Sequence, residues 1–377
     1  MTEGRRGAAA ASAHLPRGVV ATKYWHCLED GRIQCDLCPR HCSLREGQKA
    51  FCFVRARQND QIVLTSYGRS SGFCVDPMEK KPLNHFLPGS PVFSFGTAGC
   101  NLACRFCQNW DITKSREFDT LTAWAAPEQI AAAAERHGCP SVAYTYNDPV
   151  IFHEYAIDVA KACHKRGIRS IAVTNGSVCP EPRAEFYAHM DAANIDLKGF
   201  TEEFYWRTTG AHLEPVLDTL KYVKHETDVW LETTTLLIPG LNDSEKEIEA
   251  MSRWVVDNLG SNVPMHFSAF HPTWKMLDHP PTPPAAVKRA REIALKNGVR
   301  YAYTGNIYDP EGGSTYCHNC GQRLIQRIGF SLGEWNLTGD GACNRCDTPC
   351  AGVFEAQPGS WGTKRQPVHI SAEDLDD

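Results

Sequence analysis

Seven short apolar runs alternate with helix-like segments between residues 91 and 305, and this alternation constrains the fold more than any other feature of the chain. The runs are PVFSFG, SVAYTY, RSIAVTN, AANIDLK, VWLETTTLLI, PMHFSAF and VRYAYTG. Helix-like segments between them include PEQIAAAAERHG, IFHEYAIDVAKACHKRG and DSEKEIEAMSRWVVDNLG. Strands that alternate with helices pair in parallel through right-handed crossovers. The sequence therefore predicts an α/β fold, either a barrel or an open parallel sheet.

Polar residues gather where the predicted strands end. They are Asn147, Asp148, Thr174, Asn175, Asp196, Lys198, Asn242, Asp243 and His271. In α/β barrels the chemistry takes place at the carboxyl ends of the strands, although Asn and Asp also make ordinary turns. The stretch HFSAFHPTWKM adds His266 and Trp274 as candidates for a substrate side, with core or loop packing as the alternative.

The chain of 377 residues contains 17 cysteines, most of them in three groups with short spacings. The start, MTEGRRGAAAASAHLPRG, has no apolar core after its arginines, so we expect no secretory signal. Clustered cysteines in such a chain indicate metal binding before disulfides. The cysteines outside the groups are expected to be small buried apolar side chains: Cys27, Cys74, Cys139, Cys163 and Cys179.

The central group, Cys100, Cys104 and Cys107, follows the first predicted strand with the spacing C-x3-C-x2-C. A cubane cluster takes four thiolates, so three would leave one iron open to another ligand. A zinc site completed by a distant residue such as Cys74, or a chance loop, is the alternative. The motif, the preceding strand and the following βα repeats together resemble the radical S-adenosylmethionine superfamily.

That resemblance implies the architecture and the chemistry. It implies a partial barrel of about six βα repeats over residues 89–309, with a [4Fe–4S] cluster on the three cysteines. It also implies reductive cleavage of S-adenosylmethionine to a 5′-deoxyadenosyl radical, which abstracts hydrogen from a substrate.

The resemblance further implies which residues contact the cofactor. Phe106 occupies the position beside the adenine, and Ile238 and Gly240 in LLIPGLND match a pattern that packs against the same ring. Asp196 and Lys198 in IDLKG resemble the Asp-x-Lys element of glycyl-radical-activating enzymes, which reaches the ribose and the carboxylate of the cofactor. For these two residues a strand-end salt bridge is the alternative.

The Gly-Gly-Glu that many members carry after the second strand is absent. The segment YTYNDP occupies its place, so Asn147 and Asp148 are the candidate substitutes. Asp148 has helix capping as an alternative role, since Pro149 follows it. Asn175, at the next strand end, completes the candidate cofactor contacts.

Two further cysteine groups flank the predicted barrel. The first, C-x2-C-x3-C-x9-C, consists of Cys35, Cys38, Cys42 and Cys52. Four such ligands suit one zinc ion or one closed cluster, and the sequence leaves both open. We predict a cysteine-rich segment over residues 21–88, preceded by a disordered tail over residues 1–20.

The second flanking group predicts a zinc ribbon within residues 310–356. Its two C-x2-C pairs, 22 residues apart, consist of Cys317, Cys320, Cys343 and Cys346. Cys350 lies close enough in sequence to replace Cys346 as the fourth ligand. Residues 357–377 are polar and acidic, which predicts a solvated, disordered tail.

Several segments together resemble one branch of the superfamily. They are CDLCPRHCSLREGQKAFCFVRARQNDQI, NHFLPGSPVFSFGTAGCNLACRFCQNW, AYTYNDP and CHNCGQRLIQRIGF. They resemble the radical enzyme of the AmmeMemoRadiSam system, a relative of the pyruvate formate-lyase activating enzymes. The resemblance implies hydrogen abstraction from a protein or peptide, a reductant such as flavodoxin or ferredoxin, and Memo-type and AMMECR-type proteins as partners.

Two other functions compete with this interpretation. One is radical modification of RNA or a small metabolite, and the other is a zinc-stapled interaction protein without catalysis. The net charge of -5 argues against binding to nucleic acid, and the intact cysteine trio argues against loss of catalysis. No run approaches the ~18 apolar residues of a membrane span. We therefore expect a cytoplasmic enzyme without membrane contact.

Overall fold

The computed structural model describes residues 15–114, 121 and 123–370. Within these ranges the chain forms twenty β-strands, which are β1 (Val20–Ala21), β2 (Trp25–Cys27), β3 (Ile33–Cys35), β4 (Ser43–Leu44), β5 (Arg55–Gln58), β6 (Gln61–Leu64), β7 (Arg69–Ser70), β8 (Phe73–Pro77), β9 (Pro91–Phe95), β10 (Ala123–Trp124), β11 (Ser141–Tyr144), β12 (Arg169–Thr174), β13 (Ala192–Asp196), β14 (Trp230–Leu237), β15 (Met265–Ala269), β16 (Ala302–Gly305), β17 (Thr315–Tyr316), β18 (Arg323–Ile328), β19 (Ser331–Trp335) and β20 (Gln366–Val368). The same ranges contain nine α-helices, which are α1 (Trp110–Thr113), α2 (Pro127–Arg136), α3 (His153–His164), α4 (Pro180–Tyr187), α5 (Glu202–Phe204), α6 (Glu214–Glu226), α7 (Glu245–Leu259), α8 (Pro284–Lys296) and α9 (Pro310–Gly313).

One nine-stranded sheet organises the fold, in the order β16-β15-β14-β13-β12-β11-β9-β8-β20. Its seven strands from β9 to β16 run parallel. Each is connected to the next by one of the helices α2, α3, α4, α6, α7 and α8. The predicted α/β fold with a parallel sheet is confirmed. The sheet stays open, because its outer strands β16 and β20 are not paired with each other in the described chain.

The sequence explains why these elements form. Strand β11 is buried at every residue. Val142 and Tyr144 belong to the core cluster that includes residues of α2 and α3, whereas Ala143 packs with Met78 and Leu83 in a second cluster. Pro127 and Pro284 open α2 and α8 at the first turn, where the missing N–H costs no hydrogen bond. Ser244 caps α7 by accepting the N–H of Glu247 at 3.2 Å. No helix in the described part of the chain has the length and apolar character needed to cross a bilayer.

Small antiparallel sheets precede the parallel strands. Strands β1, β6 and β5 form one of them, and β2, β3 and β4 form another. Strand β8 lies within the segment predicted as cysteine-rich, yet it belongs to the main sheet and pairs with β9. The packing explains this difference, because Phe73 of β8 stacks on Phe93 of β9 with 5.9 Å between ring centroids.

The chain after β16 also departs from the prediction. Strands β17, β18 and β19 form a small sheet beside the C-terminal cysteines. Strand β20 then returns to the main sheet, where Pro367 lies opposite Cys74 and Val368 is buried. The predicted disorder from residue 357 is therefore wrong for this part of the chain, since the free edge of β8 provides a pairing partner, although most of residues 357–370 are exposed. Residues 1–14 and 371–377 of the two predicted tails lie outside the described residues.

The five ungrouped cysteines do not behave alike. Cys74, Cys139 and Cys163 are buried, as predicted for small apolar side chains. Cys179 is only half-buried and Cys27 is exposed, so the prediction is wrong for Cys27. Cys27 ends the short strand β2, at which the chain turns back toward β3 over exposed residues.

Candidate functional site

A cavity of about 920 Å³ opens at the carboxyl ends of the parallel strands. All seven of those strands, or the loops that follow them, contribute to its lining. The lining residues include Cys100 near one end of the sheet and Thr304 near the other, so the sheet curves around the space. This shared cavity brings together residues that lie more than 200 positions apart in the sequence.

The three central cysteines line this cavity. The loop that carries them is held by the backbone: Ala103 donates its N–H to the carbonyl of Thr209 at 2.8 Å. Burial raises the pKa of Cys100 to about 12, so metal binding must displace a proton from it. The three Sγ atoms do not all lie within 4.8 Å of one another in the described chain. These three thiols are therefore not gathered as tightly as the ligands of one tetrahedral ion.

Asn147 lines the cavity but uses its side chain to tie two loops together. Its Oδ1 accepts the N–H of Thr97 at 2.9 Å, and its Nδ2 donates to the carbonyl of Gly99 at 3.0 Å. Asn175 acts in a similar way, with its Nδ2 donating to Oδ1 of Asn101 at 2.8 Å. Both amides therefore hold the cysteine loop against the neighbouring strand ends.

Asp148 is buried, and both of its carboxylate oxygens have partners. Oδ1 accepts the N–H of Val150 at 3.0 Å and so caps the 3-10 turn Pro149–Phe152. Oδ2 accepts the hydroxyl of Thr174 at 2.9 Å and the N–H of Asn175 at 2.7 Å. Burial outweighs these bonds and raises the pKa of Asp148 to about 6. The geometry thus gives Asp148 the capping role that the sequence offers as an alternative.

Asp196 and Lys198 form an ion pair on the cavity wall, with 2.7 Å between Oδ2 and Nζ. Burial acts to lower the pKa of Lys198, but the charges of Asp196 and Cys104 raise it above its ordinary value. The Lys198 ammonium also lies 5.9 Å from the ring centroid of Phe106, which lines the same cavity. Phe106 in turn stacks on Phe204.

Ile238 and Gly240 lie beside the cavity and not among its lining residues. The reason is Asn242, a fully buried residue that fixes their loop. Its Oδ1 accepts the N–H of Ile238 at 2.7 Å, and its Nδ2 donates to the carbonyls of Lys198 and Leu236 at 2.7 and 2.9 Å. The sequence identifies Asn242 only as one of several polar residues at the ends of predicted strands.

The far end of the cavity is lined by charged residues that the sequence did not point to. Burial lowers the pKa of Lys81 to about 8. The Asp76 carboxylate acts to raise this pKa, because its Oδ2 lies 2.7 Å from Nζ of Lys81. Lys80 binds the other oxygen of Asp76 at 2.7 Å. Arg327 from β18 places its Nε 3.8 Å from Oε1 of Glu79. Asp76, Glu79, Lys80 and Lys81 lie within six consecutive residues, whereas Arg327 comes from β18 and reaches them only through the fold.

Two buried polar atoms at this end have no hydrogen-bond partner in the described chain. They are Oε2 of Glu79 and Nε of Arg327. Both residues line the cavity, as do His266 and Phe330. Nε2 of His266 lies 2.7 Å from Oε2 of the fully buried Glu232. His271 is exposed, and Trp274 stacks on Trp110.

The C-terminal cysteines form a compact group. Sγ of Cys317 lies 3.7 Å from Sγ of Cys346, and Sγ of Cys320 lies 3.7 Å from Sγ of Cys343. All four Sγ atoms lie within 4.8 Å of one another. Tetrahedral zinc with bonds of about 2.3 Å to sulfur places its ligands about 3.8 Å apart. Cys350 lies outside this group, with Sγ 3.8 Å from Nδ1 of His85.

The N-terminal cysteines show a different geometry. The Cys38 thiol lies within electrostatic range of the other three, and burial raises the pKa of Cys35 to about 12. No three of the Sγ atoms of Cys35, Cys38, Cys42 and Cys52, all within the described chain, lie within 4.8 Å of one another. The two flanking groups are therefore not built for the same ligand geometry.

A cavity at the carboxyl ends of a parallel sheet, with three cysteines in C-x3-C-x2-C spacing on its wall, defines an enzyme of the radical S-adenosylmethionine class. The profile of the Radical SAM superfamily matches residues 95–254. "Uncharacterized protein MJ0808" of Methanocaldococcus jannaschii is 38% identical over 86% of this chain and 95% of its own length. The chain belongs to the radical SAM superfamily, whose members use a [4Fe–4S] cluster and S-adenosylmethionine.

Two more distant relatives are glycyl-radical-activating enzymes. The "4-hydroxyphenylacetate decarboxylase activating enzyme" of Clostridioides difficile is 20% identical over 72% of this chain and 89% of its own length. The "Pyruvate formate-lyase-activating enzyme" of Clostridium pasteurianum is 23% identical over 46% of this chain and 72% of its own. The chain is thus related to the pyruvate formate-lyase activating enzymes within the superfamily.

Proposed function

We propose that this chain cleaves S-adenosylmethionine at a [4Fe–4S] cluster on Cys100, Cys104 and Cys107 and abstracts hydrogen from a protein or peptide substrate. The observation that carries the proposal is the position of the three thiols, in the C-x3-C-x2-C motif, on the wall of the large cavity. When held by Cys100, Cys104 and Cys107, the cluster would supply the electron for reductive cleavage of S-adenosylmethionine, and the cofactor would supply the radical chemistry for hydrogen abstraction.

The remaining residues bind and orient the cofactor in this proposal. Phe106 presents an apolar ring for the adenine, and the Asp196–Lys198 pair offers an acceptor for ribose hydroxyls and a cation for the methionyl carboxylate. Asn147 and Asp148 act chiefly as positioning residues, since their side chains already hold the surrounding loops. Backbone carbonyls of their loop are the acceptors for the methionyl amine. Ile238 and Gly240 support the adenine side from behind the wall.

The substrate enters from the side of the C-terminal hairpin in this proposal. Phe330, between β18 and β19, lines the cavity and keeps 38% of its surface exposed. An exposed aromatic ring at a cavity mouth suits an incoming peptide segment. We extend the proposal to the AmmeMemoRadiSam assignment, supported by the flanking motifs, with cytoplasmic location, a flavodoxin or ferredoxin as reductant, and Memo-type and AMMECR-type partners.

A small polar metabolite is the second candidate substrate. The charged residues Glu79, Lys80, Lys81 and Arg327 in the cavity lining favour it, because a free small molecule reaches this end of the cavity more readily than a chain segment. A carboxyl group and a guanidinium side by side suit a substrate with both a donor and an acceptor.

We also propose that Cys317, Cys320, Cys343 and Cys346 bind zinc, which stabilises the C-terminal hairpin module.

The test uses anaerobically purified full-length chain and its Cys100, Cys104, Cys107 triple alanine variant. With dithionite, the wild type should convert S-adenosylmethionine to 5′-deoxyadenosine, and the variant should not. Cleavage by the triple variant at the wild-type rate would refute the assignment of these ligands. A deuterated substrate then decides between the two candidates, since the true substrate transfers deuterium into 5′-deoxyadenosine.

A further inference from the structure

The four N-terminal cysteines lie close together in the fold, with the Cys38 thiol in electrostatic range of the other three. Cys35 of β3 donates its backbone N–H to the carbonyl of Cys42 at 2.9 Å, and Cys38 lies in the turn between them. Cys52 comes from the loop before β5, and its side chain is buried beside the fully buried guanidinium of Arg55. Four thiols in a largely buried site suit a metal centre that is separate from the one in the cavity.

Backbone N–H groups and a buried guanidinium surround the site. The backbone amides of Leu37 and Arg40 lie close to the thiols of Cys35 and Cys38, respectively. Arg55 brings a positive charge near two of the thiols and is itself held by Glu154, with 2.5 Å between Nη2 and Oε2. N–H groups and charges next to thiolates are the features that set the reduction potential of iron–sulfur clusters.

The spacing of the thiols distinguishes the N-terminal group from the C-terminal group. In the C-terminal group all four Sγ atoms lie within 4.8 Å, as one tetrahedral zinc requires. In the N-terminal group no three of the Sγ atoms do so in the described chain. Thiolates on a cluster stand farther apart than those on one ion, because each binds a different iron.

The site also lies directly against the loop of Cys100. A Cβ added to Gly99 would stand 2.0 Å from the backbone oxygen of Cys52, so the two loops are in backbone contact. Arg40, within the N-terminal cysteine motif, donates its Nε to the carbonyl of Asn101 at 2.9 Å. Two residues beyond Asp148, Val150 packs against Cys35 in the same small apolar cluster. The N-terminal site, whose Cys38 and Cys42 are half-buried, therefore adjoins the loop that carries Cys100.

We propose that Cys35, Cys38, Cys42 and Cys52 bind a second iron–sulfur cluster, which passes one electron to the cluster on Cys100, Cys104 and Cys107. An external low-potential one-electron protein donor loses the electron, the N-terminal cluster is reduced, and it is reoxidised when the cavity cluster is reduced. No bond is made or broken in this transfer. The second half of the inference, the relay, rests on the proposed function, whereas the presence of the cluster does not.

The presence of the cluster is tested in the full-length triple variant of Cys100, Cys104 and Cys107, which leaves the N-terminal site intact. After anaerobic reconstitution, we expect two or four iron ions per chain with equal acid-labile sulfide, one zinc ion, and a paramagnetic signal on reduction. A variant that holds zinc at both flanking sites and no iron would overturn the inference. Iron in this variant, together with a wild type that never cleaves S-adenosylmethionine, would instead count against the proposed function alone.

The relay is tested by single-turnover cleavage of S-adenosylmethionine in Cys38→Ser and Cys42→Ser variants that retain the cavity cluster. With reduced flavodoxin or ferredoxin as donor, the rate should fall at least tenfold, whereas with dithionite it should fall less than threefold. Cys27→Ser, at an exposed cysteine, is the matched control and should leave both rates unchanged. Equal losses with both donors, or no loss with either, would overturn the relay.

Discussion

Replacing Gly99 by alanine should break the contact between the two cysteine loops. Gly99 has φ of +84°, and its added Cβ would stand 2.0 Å from the backbone oxygen of Cys52. That distance is far below any real Cβ contact, and because the opposing atom belongs to the backbone, a loop must move. We expect the strain to reach both cysteine sites.

The size of the effect follows from two contributions. Left-handed backbone costs a residue with a side chain about 1–2 kcal/mol, and forced overpacking adds roughly 1–3 kcal/mol. Gly99→Ala should therefore lower the free energy of unfolding by about 2–5 kcal/mol. Gly47→Ala is the matched control, because Gly47 has φ of +77° and no atom within 4 Å of an added Cβ. It should lose only the ~1–2 kcal/mol of backbone strain.

Urea unfolding of the full chain, followed by circular dichroism, measures both losses, and iron analysis of the reconstituted proteins measures the effect on the sites. Gly99→Ala should hold clearly less iron than Gly47→Ala. Equal unfolding free energies and equal iron contents in the two variants would show that the loops do not depend on this contact.

Three further predictions concern other parts of the site. Asn242→Ala removes three hydrogen bonds of a buried side chain and should destabilise the chain by roughly 3–5 kcal/mol. Asn262→Ala, at an exposed residue, should change stability by less than about 0.5 kcal/mol. Similar urea midpoints for the two variants would contradict this prediction. Cys346→Ala should lose the zinc that Cys350→Ala retains, and metal analysis showing the reverse would exchange their roles. Asp148 has a raised pKa in the folded chain, so its contribution to stability is full below pH 3.8 and is lost as the pH rises through about 6. Relative to Asp148→Asn, the wild type should therefore lose about 3 kcal/mol between pH 3.5 and 7, and a pH-independent difference in unfolding free energy would refute the raised pKa.

The sequence by itself determined the features that depend on short spacing. Alternating apolar and amphipathic segments specify strands and crossover helices. A strand buried on both faces is a continuous apolar run, whereas a helix buried on one face has apolar residues at a period of about 3.6. The C-x2-C pairs of the C-terminal group likewise bring their thiols together through tight local turns, and the spacing of Cys100, Cys104 and Cys107 identifies the superfamily without any coordinates.

Only the tertiary structure decided what depends on contacts between distant segments. Strand β20 joins the sheet because β8 has a free edge, which no property of residues 357–370 reveals. Glu79 and Arg327 meet at the far end of the cavity from positions 248 residues apart. Asp148 caps a local turn through Val150, but its second carboxylate oxygen binds Thr174 and Asn175 at the next strand end. The contact of Cys52 with Gly99 arises in the same way, since local sequence fixes which elements form, while packing fixes which side chains and backbone atoms meet.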